Sequence, residues 1–261
     1  MTQGRRGPDT WLVVLATTSL VAWSMLAFGG STLMLPALCS ANALPVMPLS
    51  ASFDLALVFN APATLASDWA LMLVAMMLPL LVAPLRHIRD RSLARRRARA
   101  MLLFVLGYFV VWMVAGMVLQ MAALVALWTL PLPLMWFGLG CAVAMLWQVS
   151  PAKQWCLNRC HRKPALAAFE PAADHDAFRF GLANGAACAG ACWALMLLML
   201  LAGKGQFPAM IAIMLFLLAE RLEGPAPLAW QWRGGAKAIR LVAARLRIRT
   251  GSLNPMAEVS P

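Results

Sequence analysis

The sequence predicts an all-α fold: a polytopic bundle of about six transmembrane helices with both chain ends in the cytoplasm. Hydrophobic residues make up 62% of the 261 residues and the mean hydropathy is +0.74, whereas soluble domains are about 45–50% apolar. The apolar residues are gathered in windows of about 17–25 residues, the length that crosses a bilayer. The basic residues lie almost entirely in alternate connections between these windows.

Six apolar windows are the candidate spans. In chain order they are Trp11–Gly30, Trp69–Leu85, Met101–Trp128, Leu132–Trp147, Gly181–Ala202 and Phe207–Leu222. The first window lacks a small-residue cleavage site, so we interpret it as a retained span rather than a removed signal peptide. The proline-broken stretch Leu33–Ser50 between the first two spans is a candidate re-entrant segment.

The net charge of +12 is explained by membrane topology rather than by nucleic-acid binding. With the N-terminus inside, all of the 22 basic residues except Lys204 fall in cytoplasmic segments. This is the positive-inside distribution, and we expect the protein in a bacterial inner membrane. The arginine runs then contact anionic membrane lipid.

The chain divides into a membrane bundle at residues 1–224 and a basic cytoplasmic tail at residues 225–261. Within the bundle, a proline-rich outer loop is predicted at about 31–67 and an inner loop at about 150–180. In the tail, the basic stretch Lys237–Arg249 has apolar residues on one side and is a candidate interfacial helix.

The fifth span carries a face rich in sulfur. Its members recur at steps of three or four residues, so they share one side of a helix: Gly181, Gly185, Cys188, Cys192, Met196 and Met199. Thiolate and thioether ligands favour Cu(I), and thiolates also suit zinc. The face therefore predicts a transition-metal site. The alternative is that the sulfur side chains pack as apolar residues and the glycines form a helix contact.

The second span offers further soft ligands. Met72 and Met76, together with Asp68, would lie at the depth of the methionines of the fifth span. Pro79 removes a backbone N–H, so it would free carbonyl groups near the middle of this span.

The inner loop contains a second cysteine pair with the same spacing. Cys156 and Cys160, followed directly by His161, form an incomplete soft site that would receive metal from the cytosol. A single Cys-x-x-x-Cys-His run differs from the spacings typical of zinc fingers and haem attachment.

Glu220 is an ionisable group at the inner end of the sixth span, at the predicted depth of Asn184 and Cys188. Such groups face the bundle interior. Three roles stay open from the sequence: a hard co-ligand, a proton acceptor for a thiol, or the structural partner of Arg221 or another arginine.

Three segments resemble a bacterial family of integral membrane proteins regarded as metal-binding. They are Trp69…Ala75-Met76-Met77-Leu78-Pro79, Gln148…Pro151…Lys153…Cys156…Cys160 and Gly181…Gly185…Cys188-Ala189-Gly190-Ala191-Cys192-Trp193-Ala194-Leu195-Met196. The resemblance extends from about Trp69 to Arg221. It implies a polytopic inner-membrane protein with a copper-related metal role and brings no established activity.

Three functions fit these residues. The leading one is a metal-binding accessory protein that holds Cu(I), with zinc as the alternative metal, and delivers it to a membrane or outer-face metalloenzyme. The second is a structural or assembly subunit of a larger membrane complex. The third is a membrane thiol oxidoreductase, which would need an outward cysteine pair where the sequence places only Cys39. The sequence has no phosphate-binding glycine loop and no Gly-x-Ser-x-Gly elbow, so an enzyme is the less favoured class.

Overall fold

A computed structural model of the chain describes residues 10–28, 62–129, 133–167, 171–202, 205–232 and Arg240. Within these residues the regular secondary structure is helical, which confirms the predicted all-α class. The α-helices are α1 (Thr10–Phe28), α2 (Pro62–Met77), α3 (Val82–Arg91), α4 (Arg97–Thr129), α5 (Pro133–Val149), α6 (Pro151–Cys160), α7 (Ala172–Leu201) and α8 (Gln206–Leu222). Short 3-10 turns occupy Leu78–Leu81 and Ala94–Arg96.

Four helical stretches in the described residues are long and apolar enough to cross a membrane. They are Thr10–Phe28, Leu65–Arg91, Ala94–Ala123 and Ala172–Leu201. The pair α5 and α6, bent by 65°, adds a fifth if it acts as one broken span. Helix α8 has 17 residues, at the short end of the range of about 17–25. Six spans and their orientation therefore stay predictions.

Helix α7 is the centre of the bundle and packs most extensively against α4, which runs parallel to it. At Gly181, the α7 backbone lies directly against the backbone of Phe104. One turn later, Gly185 lies in the same way against Tyr108. Because glycine has no side chain, the two helix backbones approach closely. These two glycines of the sulfur-rich face thus form a helix contact.

A methyl group at Gly181 should separate α4 from α7. A Cβ built there would lie 2.2 Å from the carbonyl oxygen of Phe104, a backbone atom that cannot rotate away. We expect Gly181→Ala to lower the free energy of unfolding by about 1–3 kcal/mol, measured by thermal unfolding in detergent. Gly138→Ala is the control, because a Cβ at Gly138 meets nothing within 4 Å. Equal melting temperatures of the two variants would contradict the close contact between the backbones of α4 and α7.

Helix α1 stabilises the proline break after α2. Pro79 has no N–H, so the carbonyl group of Ala75, four residues earlier, loses its helical partner. The chain tightens here into the 3-10 turn, and the Ser19 hydroxyl donates a hydrogen bond of 2.9 Å to the Ala75 oxygen. The carbonyl that Pro79 frees is therefore paired with a serine of the neighbouring helix.

Ser19→Ala should lower the free energy of unfolding by about 0.5–1.5 kcal/mol, because it leaves this buried carbonyl unpaired. Pro79→Ala restores a backbone N–H in reach of the same carbonyl. We therefore expect the cost of Ser19→Ala to shrink in the Pro79→Ala background, in a double-mutant cycle measured by chemical denaturation. Ser24→Ala is the matched control, since the Ser24 hydroxyl bonds within its own helix. If the effects of Ser19→Ala and Pro79→Ala on the free energy of unfolding were strictly additive, this would argue against the hydrogen bond from Ser19 to the carbonyl that Pro79 frees.

The predicted inner loop at about 150–180 contains helix α6. Ser150 caps this helix, accepting a hydrogen bond of 3.2 Å from the Lys153 N–H, and Pro151 occupies the first position. Proline suits a helix start but cannot continue α5, which explains the bend between the two helices. Lys153 and Gln154 are buried although they are polar. The polar composition of this segment therefore did not indicate that one face of α6 packs against the bundle.

The chain after α8 returns along α6 and is held there by two amide side chains. Asn158 both donates to the carbonyl and accepts from the N–H of Ala226, at 2.7 and 3.1 Å. Gln154 donates to the carbonyl groups of Ala229 and Gln231, at 2.6 and 3.1 Å. The first residues of the predicted tail are therefore packed against the bundle.

Some predictions lie wholly or largely outside the described residues. They concern the outer loop at about 31–67 with Cys39 and the candidate re-entrant segment Leu33–Ser50, the basic residue Lys204, and the candidate interfacial helix Lys237–Arg249, of which Arg240 alone is described. Helix α2 begins at Pro62, inside the range predicted for the outer loop.

Candidate metal centre

A group of sulfur and polar side chains lies where α6 and α8 meet α4 and α7. We call it the cysteine cluster: Cys188 and Cys192 of α7, Cys160 at the end of α6, Tyr108 of α4 and Arg221 of α8. Cys188, Cys192 and Tyr108 are each 1% exposed. The cluster thus joins buried thiols from two helices.

Cys188 is the main hydrogen-bond acceptor of the cluster. The Tyr108 hydroxyl donates to its sulfur at 3.1 Å, and side-chain hydrogen bonds also link it to Arg221 and Cys192. The Cys192 thiol lies 2.9 Å from the carbonyl oxygen of Cys188, a partner one helical turn earlier. Cys188 and Cys192 therefore present adjacent sulfurs on one face of α7, as their spacing predicts.

The two cysteines of α6 have different surroundings. The Cys160 sulfur shares the Arg221 guanidinium with Cys188. Cys156, one turn earlier, lies against Gly190 of α7, where an added Cβ would come within 2.6 Å of its sulfur. Glycine at this position lets α6 approach α7 and so brings Cys160 to the cluster. The structure joins one member of the predicted inner pair to the predicted membrane pair.

The predicted methionine ligands are buried in one continuous core. Met72 and Met76 of α2 and Met196 and Met199 of α7 are each 4% exposed or less. On α7, Met196 lies one turn beyond Cys192 on the same face. The sulfur side chains of α7 thus continue from the cysteine cluster towards the other end of the helix.

Three other predicted residues contribute less directly. The ring nitrogens of His161 lie 2.9 and 3.3 Å from backbone carbonyls of α6 and of Arg221, so this ring links α6 to α8. Asn184 is buried on α7 one turn before Cys188. Asp68 is half-buried on α2, and no contact within the described residues joins it to the cluster.

Glu220 pairs with a lysine rather than with an arginine. Its carboxylate accepts hydrogen bonds from the Lys153 ammonium and, at 3.1 Å, from the Gln148 amide, and Lys153 also donates to Gln148. All three side chains are buried. Lys153 therefore occupies the place predicted for Arg221 or another arginine, and Arg221 interacts with the cysteines instead. The second carboxylate oxygen of Glu220 has no hydrogen-bond partner among the described residues.

Removing the lysine alone should be costly. Lys153→Met leaves a buried carboxylate without its cation, and we expect the free energy of unfolding to fall by about 3–5 kcal/mol. The double variant Lys153→Met/Glu220→Gln carries neither charge and should be more stable than the single variant. Chemical denaturation of both, beside Arg159→Met on the exposed side of α6, tests this. A double variant as unstable as the single one would refute the buried pair.

The soft donors of the cluster suit Cu(I). Within the parts of the chain that the structure describes, no three His, Cys, Asp or Glu side chains converge closely enough to surround one ion. Structural zinc sites almost always have four ligands, so zinc gains no support. The adjacent thiols of Cys188 and Cys192 fit Cu(I), which is bound by soft sulfur ligands and accepts as few as two of them.

Fold and site together describe a helical protein with a buried, sulfur-rich cluster at its centre. A family model described as "PpoB2: Copper chaperone" matches residues 66–243, a range that includes the whole cysteine cluster. The chain therefore belongs to this family of copper chaperones, which confirms the predicted copper-related accessory function. No curated protein and no solved structure matches the chain significantly.

The hydroxyl of Tyr108 and the ammonium of Lys153 take part in the site although no role was predicted for either. Tyr108 is the one tyrosine in the chain, and a lone polar aromatic residue within an apolar span is a usable signal, because its hydroxyl needs a partner when buried. Lys153 is part of the segment that carries the family resemblance, but its pairing with Glu220 could not be predicted, since it stands among other basic residues in a polar segment. Arg221 was counted only as a topological charge and as a candidate partner of Glu220.

Proposed function

We propose that this protein is an integral membrane copper chaperone that accepts Cu(I) at the cysteine cluster and passes it on to a copper-using partner. The observation that carries the proposal is the buried thiol pair of Cys188 and Cys192 on the central helix of a chain from a copper chaperone family. Copper is the cargo here. Two adjacent thiols hold a soft monovalent ion without closing it into a permanent site.

The thiols of α6 are the proposed point of uptake. In the predicted topology α6 lies at the cytoplasmic side, where the cytosol keeps thiols reduced. Cys156 is half-buried, and Cys160 is the last residue of α6 and is buried. Copper would pass from these thiols to Cys188 and Cys192 by ligand exchange, since Cys160 and Cys188 share the same arginine.

The methionines are the proposed route of release. Met196 and Met199 extend the face of α7, and Met72 and Met76 lie in the same core. At about 1.5 Å per residue, the step from Cys188 to Met199 covers about 16 Å of helix. Thioethers bind Cu(I) more weakly than thiolates and carry no charge, so each site exchanges its ion readily. The recipient would be a membrane or outer-face metalloenzyme.

We place the chain in a bacterial inner membrane with about six spans and both termini cytoplasmic. The candidate spans and the grouping of basic residues support this topology. Large apolar side chains also face outward on the long helices: Leu20 of α1 and Leu102 of α4 are both 67% exposed. Contact with lipid would explain these exposed side chains, because exposing large apolar side chains to water is unfavourable.

Copper content of the purified, reduced protein tests the proposal. The wild-type chain should carry about one copper per chain, and Cys188→Ser/Cys192→Ser should lose it because the two remaining α6 thiols do not form the same pair. Cys141→Ser is the control, since Cys141 is half-buried on α5. Met196→Leu/Met199→Leu should load normally and transfer copper more slowly to a Cu(I) chelator.

The alternative functions predict different results. Folded wild-type protein without copper, copurified with a fixed partner, would favour a structural or assembly subunit. A disulfide between Cys188 and Cys192 trapped in cells would favour a thiol oxidoreductase. Copper retained by Cys188→Ser/Cys192→Ser would place the binding site elsewhere in the chain and overturn the assignment.

A further inference from the structure

Arg221 is the cation of α8 that faces the cysteine cluster. Side-chain hydrogen bonds link its guanidinium to Cys160 and to Cys188. It also interacts electrostatically with Tyr108 and Cys192. The residue as a whole is half-buried, while the guanidinium end lies among the thiols. One positive charge is therefore shared by sulfurs from two helices.

Among the described residues, Glu220 is the carboxylate that acts electrostatically on Arg221, and it does so without forming an ion pair with it. None of the described acidic side chains forms an ion pair with Arg221. Glu220, its neighbour in sequence, is paired with Lys153. A guanidinium removed from water without an anion is costly. The groups placed to supply the balancing negative charge are the sulfurs of the cluster.

The position of Arg221 is set from both sides. His161 contacts its backbone carbonyl at 3.3 Å, which ties the end of α8 to α6. The preceding residue, Glu220, is held by Lys153 and Gln148. A charged group held in place by such contacts acts on a bound ion without having to reorganise.

We infer that Arg221 makes the cluster selective for a monovalent ion by acting as its built-in counter-cation. The inference rests on the proposed function and adds how the site discriminates between metals. With Cys188 and Cys192 as the two thiolate ligands and Cys160 kept as a neutral thiol, the two thiolates and the guanidinium together carry a single negative charge, which Cu(I) neutralises. A divalent ion such as Zn(II) would leave an uncompensated positive charge inside the protein, and this is costly.

The test compares the affinities of Cu(I) and Zn(II) for the full chain in detergent under reducing conditions, each by competition with a chromophoric chelator. Arg221→Gln removes the charge and keeps hydrogen-bond donors. We expect the ratio of Cu(I) to Zn(II) affinity to fall at least about tenfold, because the charge acts in a low-dielectric site. Arg221→Lys keeps the charge, and its ratio should stay within about threefold of wild type. Arg162→Gln removes an exposed charge nearby and is the control.

The ratio of the Cu(I) and Zn(II) affinities distinguishes a loss of selectivity from a general loss of metal binding. An unchanged ratio in folded Arg221→Gln, or an equal loss of affinity for both metals, would overturn the inference. If Arg221→Gln does not fold, Arg221→Lys decides: a retained ratio supports the role of charge, and a ratio that falls tenfold overturns it. Failure of the proposed function looks different, since wild-type protein would then bind no copper at all.

Discussion

The contact between the backbones of α4 and α7 is the constraint on which the rest of the structure depends. Gly181 and Gly185 allow this approach because they place no side chain between the helices. The approach puts the Tyr108 hydroxyl within 3.1 Å of the Cys188 sulfur. In the same way, Gly190 lets α6 come close enough to deliver Cys160. Because glycine has no side chain, the helices come close together at these positions, and the sulfur side chains of the cluster lie near these contacts.

Buried charge organises the other side of the site. The Lys153–Glu220 pair joins α6 to α8 inside the protein, and the next residue, Arg221, is thereby turned towards the thiols. Each of these charges is expensive to bury alone. The Lys153–Glu220 pair neutralises itself and holds α6 against α8. In the proposed site, the Arg221 guanidinium is balanced by the sulfurs of the cluster. Four helices then contribute to one centre, and none of them forms it alone.

The family assignment and the chemistry of the cluster agree on copper. A chaperone must hold its cargo firmly enough to exclude other reactions and loosely enough to release it. In the proposed function, two thiols meet the first need, and neutral thioethers along α7 suit the second. The zinc alternative lacks support because the described donors do not converge in threes or fours.

The helical class, the sulfur-rich face of α7 and the copper-related chemistry could all be predicted from the order of the residues alone. Helical periodicity places residues four apart on one side, so Cys188, Cys192 and Met196 could be aligned without any structure. Only the tertiary structure decided that Cys160 rather than Cys156 joins them and that Glu220 pairs with Lys153. Those partnerships depend on the bend between α5 and α6 and on where glycines let helices touch. A periodic pattern describes one helix at a time and does not report how two helices cross.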